Sequence, residues 1–281
     1  MTDPANTETA TYVIQRVGNH FINAMSFDLG RYLVAAGLVT AILLLARSWA
    51  SARRIQTRRA SRADYVREIS SSLRTVMVFA VTTLSTVMMR EAGWVRTAET
   101  AIGWPLWLAQ LAVIIIAHDS YFYWMHRGLH HKRLFRLTHL HHHKSRTPTP
   151  WAAYSFSIYE GVTEAAFMPI FLLTATTLGA EYHPGAIFLF LAHMIMRNAI
   201  GHAGVEFFPA GWVHRPWLDW ISTTTHHDLH HSSGTYNYGL YFTWWDRWMG
   251  TEHPEYKARF DAVAKPLIGG RSMASPRGCG G

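Results

Sequence analysis

The 281-residue sequence contains a single cysteine, Cys279, in a Gly-rich C-terminal stretch. No intrachain disulfide and no CxxC site can form, so any metal must be held by nitrogen or oxygen. Charge is also scarce: 16% of residues are Asp, Glu, Lys or Arg, where about a quarter is usual for soluble domains. Nothing at the N-terminus reads as a cleavable signal peptide, because residues to about Thr11 are polar and no small-residue cleavage site follows the first apolar run. No nucleic-acid-binding motif accompanies the net charge of +8, and no nucleic-acid partner is expected. Neither ExxH nor HExxH occurs, which argues against the carboxylate-rich soluble di-iron bundles.

What is abundant is apolar and aromatic. Hydrophobic residues make up 49% of the chain, with 12 Trp, 12 Tyr and 14 Phe, the amphipathic rings among them being the kind that settle at bilayer interfaces. The composition points to an integral membrane protein.

In chain order, Met1 to Asn19 are polar and are expected to be loosely held or interfacial. Leu29 to Ala46 is just long enough to span hydrocarbon if Arg31 snorkels. A basic stretch follows, with Arg47, Arg53, Arg54, Arg58, Arg59, Arg62 and Arg67 against Asp64 and Glu68. The positive-inside bias makes that loop cytoplasmic. Leu73 to Met89 returns the chain, and Trp104 to about Tyr123 brings it back to the cytoplasmic face. Apolar runs 161–178 and 185–200, joined by GAEYHP, form a hairpin that either spans fully or is re-entrant. The fold expected is all-α, with about four transmembrane helices, or two plus a hairpin, under a cytoplasmic helical cap. The implied divisions are 1–100 (spans and basic loop), 101–256 (catalytic domain) and 257–281 (a frayed polar tail).

Histidine is concentrated: twelve of the eighteen lie in two windows, eight from His118 to His143 and four in HHDLHH at His226 to His231. His126 and His130 are four apart. His139, His142 and His143 stand at i, i+3, i+4, and His227, His230 and His231 repeat that spacing. Each set shares one helical face. So many imidazoles exceed what one ion can use, and the count argues for two metals. A metal-storage tract would be low-complexity, whereas these histidines are interleaved with apolar and aromatic positions. The isolated His20, His183, His193, His214 and His253 read as structural.

The strings YFYWMHRGLHH, HLHHH and HHDLHHSSGTYNYGLYFTWWDRWMG resemble the fatty acid hydroxylase and sterol desaturase superfamily of membrane di-iron oxygenases, with its boxes HxxxH, HxxHH and HxxHH. HRGLHH, TPTP, TYNYG and WWDRWMG are most similar to its sterol delta-5 desaturase branch, and the similarity runs from about Ala101 to His253. The resemblance implies metal ligation by His126, His130, His139, His142, His143, His227, His230 and His231, with His202 as a further ligand. Asn198 stands where some relatives place another histidine, and His131 can substitute for His130 if the first box is read with four intervening residues. His118, His141 and His226 are expected behind the ligands or facing substrate, with Asp119 and Asp228 as candidate partners for ligating imidazoles.

It further implies two iron ions, in sites that zinc can also occupy, with dioxygen as co-substrate. NAD(P)H would supply electrons through a reductase and a small electron-transfer protein. The expected reaction is hydroxylation or desaturation of a sterol-like lipid. The alternatives are an acyl-chain hydroxylase of a polar membrane lipid and a non-catalytic membrane metal-binding protein.

Overall fold

The computed structural model describes residues 4–264, with side chains from residue 11. Twelve α-helices form: α1 (Pro4–Leu45), α2 (Arg47–Ala52), α3 (Arg62–Glu91), α4 (Trp104–Leu129), α5 (Phe135–Thr138), α6 (Leu140–His143), α7 (Ile158–Ala165), α8 (Phe167–Thr177), α9 (Pro184–Gly201), α10 (Thr224–Ser233), α11 (Trp244–Trp248) and α12 (Tyr256–Val263). Among the described residues there is no strand, only three isolated bridges. The all-helical expectation holds.

Local chemistry sets the boundaries. Ser61 caps α3 by accepting from Asp64 N, while the Asp64 side chain accepts from Ser61 N, which pairs two donors that the helix start would leave orphaned. Pro105 and Pro184 sit in the first turns of α4 and α9, where a missing N–H costs nothing. The break between α7 and α8 at Ala166 falls just before Pro169, whose ring clashes with the carbonyl four residues back.

Among the described residues, five stretches are long and apolar enough to cross a membrane: Thr11–Leu45, Arg62–Glu91, Trp104–Leu129, Ile158–Thr177 and Pro184–Gly201. Their outward faces carry exposed apolar side chains such as Leu38, Met77, Val113, Ile170 and Phe188. This is the pattern of an integral membrane protein, with one more candidate span than the four expected.

Two expectations on the first span are corrected. Residues 4–19 are not a loose segment but helix continuous with it, since polarity alone does not break a helix that lacks an internal proline. Arg31 does not snorkel to an interface. Its Nε and Nη2 lie 2.8 and 2.7 Å from Asp28 Oδ1, with both side chains buried. A partner one turn away makes pairing in place less costly than exposing the guanidinium to lipid.

Helix α1 packs on α3, and α4 on α9. Tyr32, Ala35, Ala36 and Val39 of α1 meet Val76, Phe79, Tyr154, Ile195 and Ala199 in one core, where the alanines let backbones approach closely. One end of the bundle gathers the basic segment 47–61, the histidine segment 130–143 and the loops after α9. There Ile55 N donates to Gly204 O, and the Gln56 amide donates to Asp228. Basic loop and histidines thus share a side. Helix α12 lies in the stretch expected to be frayed, yet Phe260 and Ala264 pack with Val213 and Leu229; Cys279 lies outside the described residues.

Candidate metal centre

All nine histidines proposed as ligands come together, and they divide into two groups. His126, His130, His139 and His230 offer nitrogens within 4.8 Å of one another, and so do His142, His202, His227 and His231. His143 lies at the first group, with its Nε2 3.2 Å from His130 Nε2 and 3.0 Å from His230 Nε2, and its ring 5.0 Å from that of His231. The division cuts across the sequence boxes. Consecutive residues on a helix are about 100° apart, so α10 turns His230 to one group and His227 with His231 to the other. The short α6 parts His142 from His139 in the same way.

The spacing of the nitrogens fits metal ligation. Two nitrogens each about 2.0–2.1 Å from one ion lie roughly 3.0 Å apart at right angles and roughly 3.4 Å apart at the tetrahedral angle. The Nε2 pairs His126–His139, His142–His202, His202–His227 and His202–His231 stand at 2.9, 3.1, 3.1 and 3.1 Å.

The outer nitrogens fix the tautomer. His126 Nδ1 donates to Tyr238 O, His230 Nδ1 to Tyr236 O, His202 Nδ1 to Asn198 O and His142 Nδ1 to Ser155 O, at 2.9, 2.8, 2.8 and 3.3 Å. A carbonyl only accepts, so each Nδ1 carries the proton and each neutral Nε2 presents a lone pair. His142 and His202 therefore hold two lone pairs face to face, an arrangement that is repulsive unless a cation lies between them. Burial, then mutual repulsion among the rings, keeps His139, His142, His227, His230 and His231 far below the usual imidazole range. Burial likewise pushes His143 and His202 down to about 4. All are neutral at physiological pH, the state in which imidazole ligates.

The supporting groups differ from those expected. Asp119 accepts from Tyr241 N, Phe242 N and Trp244 Nε1, and Asp228 accepts from Gln56; neither touches a ligand-group histidine. Among the described residues the one carboxylate that does is Glu160, whose Oε1 lies 2.8 Å from His139 Nδ1. It is out of line for a hydrogen bond but fully buried beside the ring. Glu160 with His139 and His142 forms a third, overlapping trio. His131 is exposed, with its Nδ1 accepting from Arg133 N, and so does not replace His130. His141 pairs with Ser71 Oγ at 2.8 Å. His226 turns away from the groups, its Nε2 3.4 Å from Asp246 Oδ2. The Asn198 amide donates to Ala153 O, while its carbonyl holds His202. His118 packs among Phe167, Phe190 and Tyr241 and faces a cavity between the spans.

Residues 235–239 supply two of the holding carbonyls, and Asp246 anchors them. It accepts from Tyr238 N, Gly239 N and Thr251 Oγ1, each at 2.8 Å. Asn237, at φ 58°, donates through its amide to His226 O. Glu206 ties α10 to the loop after α9 by accepting from Thr225 N and Oγ1 and from Phe208 N.

The Delta(7)-sterol 5(6)-desaturase erg3C of Aspergillus fumigatus is 28% identical over 75% of this chain and 72% of its own length. The Delta(7)-sterol 5(6)-desaturase ERG3B of Gibberella zeae is 31% identical over 70% of this chain and 59% of its own. Human lathosterol oxidase is 29% identical over 76% of this chain and 71% of its own. No solved structure matches the chain. The fatty acid hydroxylase profile matches residues 111–251, which take in all nine clustered histidines, and the chain belongs to the fatty acid hydroxylase family.

Proposed function

We propose that this protein oxidises a carbon–hydrogen bond of a sterol-like membrane lipid, by hydroxylation or desaturation, at two iron ions on the cytoplasmic face. Dioxygen is the co-substrate, and electrons come from NAD(P)H through a reductase and a small electron carrier. The observation that carries the reading is the pair of histidine groups with fixed outer nitrogens and Nε2 lone pairs turned inward.

His126, His130, His139, His230 and the adjoining His143 would hold one ion, and His142, His202, His227 and His231 the other. A bound iron pair supplies the redox activation of dioxygen that zinc, with no accessible redox state, does not. The chain's contribution is geometry and exclusion of water. Backbone carbonyls of Ser155, Asn198, Tyr236 and Tyr238 orient the ligands, and every histidine of the second group is buried.

An apolar cavity of about 180 Å³ opens among α1, α3, α4, α8 and α9 and reaches Phe156, which packs on the His142 ring at 5.3 Å. A lipid entering from the bilayer is thereby led to the metal ligands without crossing water. The cytoplasmic placement rests on the arginine-rich loop that shares the histidine side. The sterol-like substrate rests on the names of the relatives.

Lipid mass spectrometry of cells with and without the protein tests the proposal. A lipid carrying one added oxygen or lacking two hydrogens is expected, and it should disappear with His142→Ala. An unchanged lipid profile, together with no lipid-dependent oxygen uptake by iron-loaded protein and reductase, would contradict it.

A further inference from the structure

The cavity between the spans is walled by Phe79, Phe167, Leu172, Phe190 and Met194, yet its lining also includes Arg31, Tyr154, Glu164 and His118. Arg31 commits Nε and Nη2 to Asp28, while its Nη1 is buried with no hydrogen-bond partner. The hydroxyl of Tyr154 is in the same condition. Glu164 makes no hydrogen bond or ion pair among the described residues. Buried polar groups are costly to leave unpaired; here a buried donor and a buried hydroxyl are left so, and a half-buried carboxyl without a protein partner lines the same apolar space.

We propose that Arg31, Tyr154 and Glu164 bind a hydroxyl group of the lipid and so select neutral, alcohol-bearing lipids over those ending in carboxylate or phosphate. The inference rests on the lipid-oxidation reading and specifies which residues choose the substrate. A hydroxyl donates one hydrogen bond and accepts others. It can donate to Glu164, accept from Arg31 Nη1 and exchange a bond with Tyr154. A carboxylate has nothing to donate to Glu164. Asp28 already balances Arg31, so no net positive charge faces the cavity to attract an anion.

The position also matters. The Tyr154 ring lies 5.6 Å from Arg31 Cζ and 6.3 Å from the Phe156 ring, which itself rests on His142. Glu164 follows Glu160, the neighbour of His139, by four residues on α7, about 6 Å along the axis. Both routes end at a metal ligand. A hydroxyl held here places the hydroxyl-bearing end of the lipid at the histidines and its tail along the spans.

The test is binding to purified protein in lipid nanodiscs, read by energy transfer from tryptophan to a fluorescent sterol alcohol. Its 3-O-methyl ether and oleate serve as comparisons. The alcohol should bind at least about tenfold more tightly than either, well within the discrimination that a site built to hydrogen-bond a hydroxyl can reach. Glu164→Leu should abolish the preference, and Glu164→Gln, which keeps a hydrogen-bonding carbonyl, should retain most of it. Equal or tighter binding of the ether or of oleate, no binding of the alcohol, or a preference that survives Glu164→Leu would overturn the proposal. If Glu164→Leu fails to fold, the comparison of alcohol with ether on the unaltered protein still decides. Binding is read without turnover, so a protein that prefers the alcohol but oxidises nothing would sink the functional reading alone. One that oxidises lipid but binds alcohol and ether alike would sink only this inference.

Discussion

Glu160→Gln and Glu160→Leu probe the support of the metal centre at its least expected point. The Glu160 carboxylate lies 2.8 Å from His139 Nδ1, with side-chain exposures of 1% and 3% for the two residues, so solvent does not screen the contact. An outer partner of a ligating histidine sets ring orientation and raises ligand basicity, and its loss lowers metal affinity by about 10–100-fold, or about 1.4–2.7 kcal/mol. Gln keeps the shape and an acceptor oxygen, so its loss should fall near the tenfold end. Leu removes the acceptor and should fall near the hundredfold end. The effect belongs to the group of His126, His130, His139 and His230, so one of two metal equivalents should weaken while the other is unchanged. Chelator competition with metal counted per chain measures this. Two unaltered equivalents in Glu160→Leu would refute the supporting role. An equivalent lost even at saturating metal would make Glu160 a ligand in its own right, as its trio with His139 and His142 would allow.

Other perturbations address separate parts of the account. His131→Ala should leave metal content at the level of the unaltered protein, because the ring is exposed and apart from both groups; a lost equivalent would reinstate it as a ligand. Gly239→Ala should strip metal from the group containing His126 and His230, since an added Cβ would collide with Phe242 O and lie 2.9 Å from Asp246 Oδ2. Normal metal content in that variant would show that the Tyr236–Tyr238 carbonyls are dispensable. Arg31→Met leaves Asp28 buried without its counter-ion and should destabilise the bundle by about 3–5 kcal/mol, read as a lower unfolding temperature in detergent. An unchanged temperature would mean that Asp28 is not charged there.

Much of this architecture is legible in the sequence because helices declare themselves by period. The histidines four apart at His126 and His130, and at i, i+3 and i+4 in the two later boxes, identify three candidate ligand patches; the eight residues they name meet, together with His202, which only the family resemblance indicates. Their allocation is less legible. His230 and His231 are neighbours in sequence but point to different groups, and only the packing of α10 between the two groups decides which goes where. By sequence, the natural outer partners for ligating histidines are the carboxylates Asp119 and Asp228. The structure uses backbone carbonyls of Ser155, Asn198, Tyr236 and Tyr238, which have no side-chain signature, and holds Asp119 to pin residues 241–244. Glu160 matches no ligand spacing, so its approach to His139 depends on where α7 docks. Asp28 and Arg31, three apart, carried a readable signal of an internal ion pair, one that the arginine's hydrophobic surroundings concealed.

The central claim is most directly tested by metal analysis of anaerobically purified, iron-loaded protein alongside the single variants His126→Ala and His202→Ala. The account predicts about two iron ions per chain, with each variant losing a different one of the two. A chain that binds one ion or none, or variants that both lose the same ion, would contradict it.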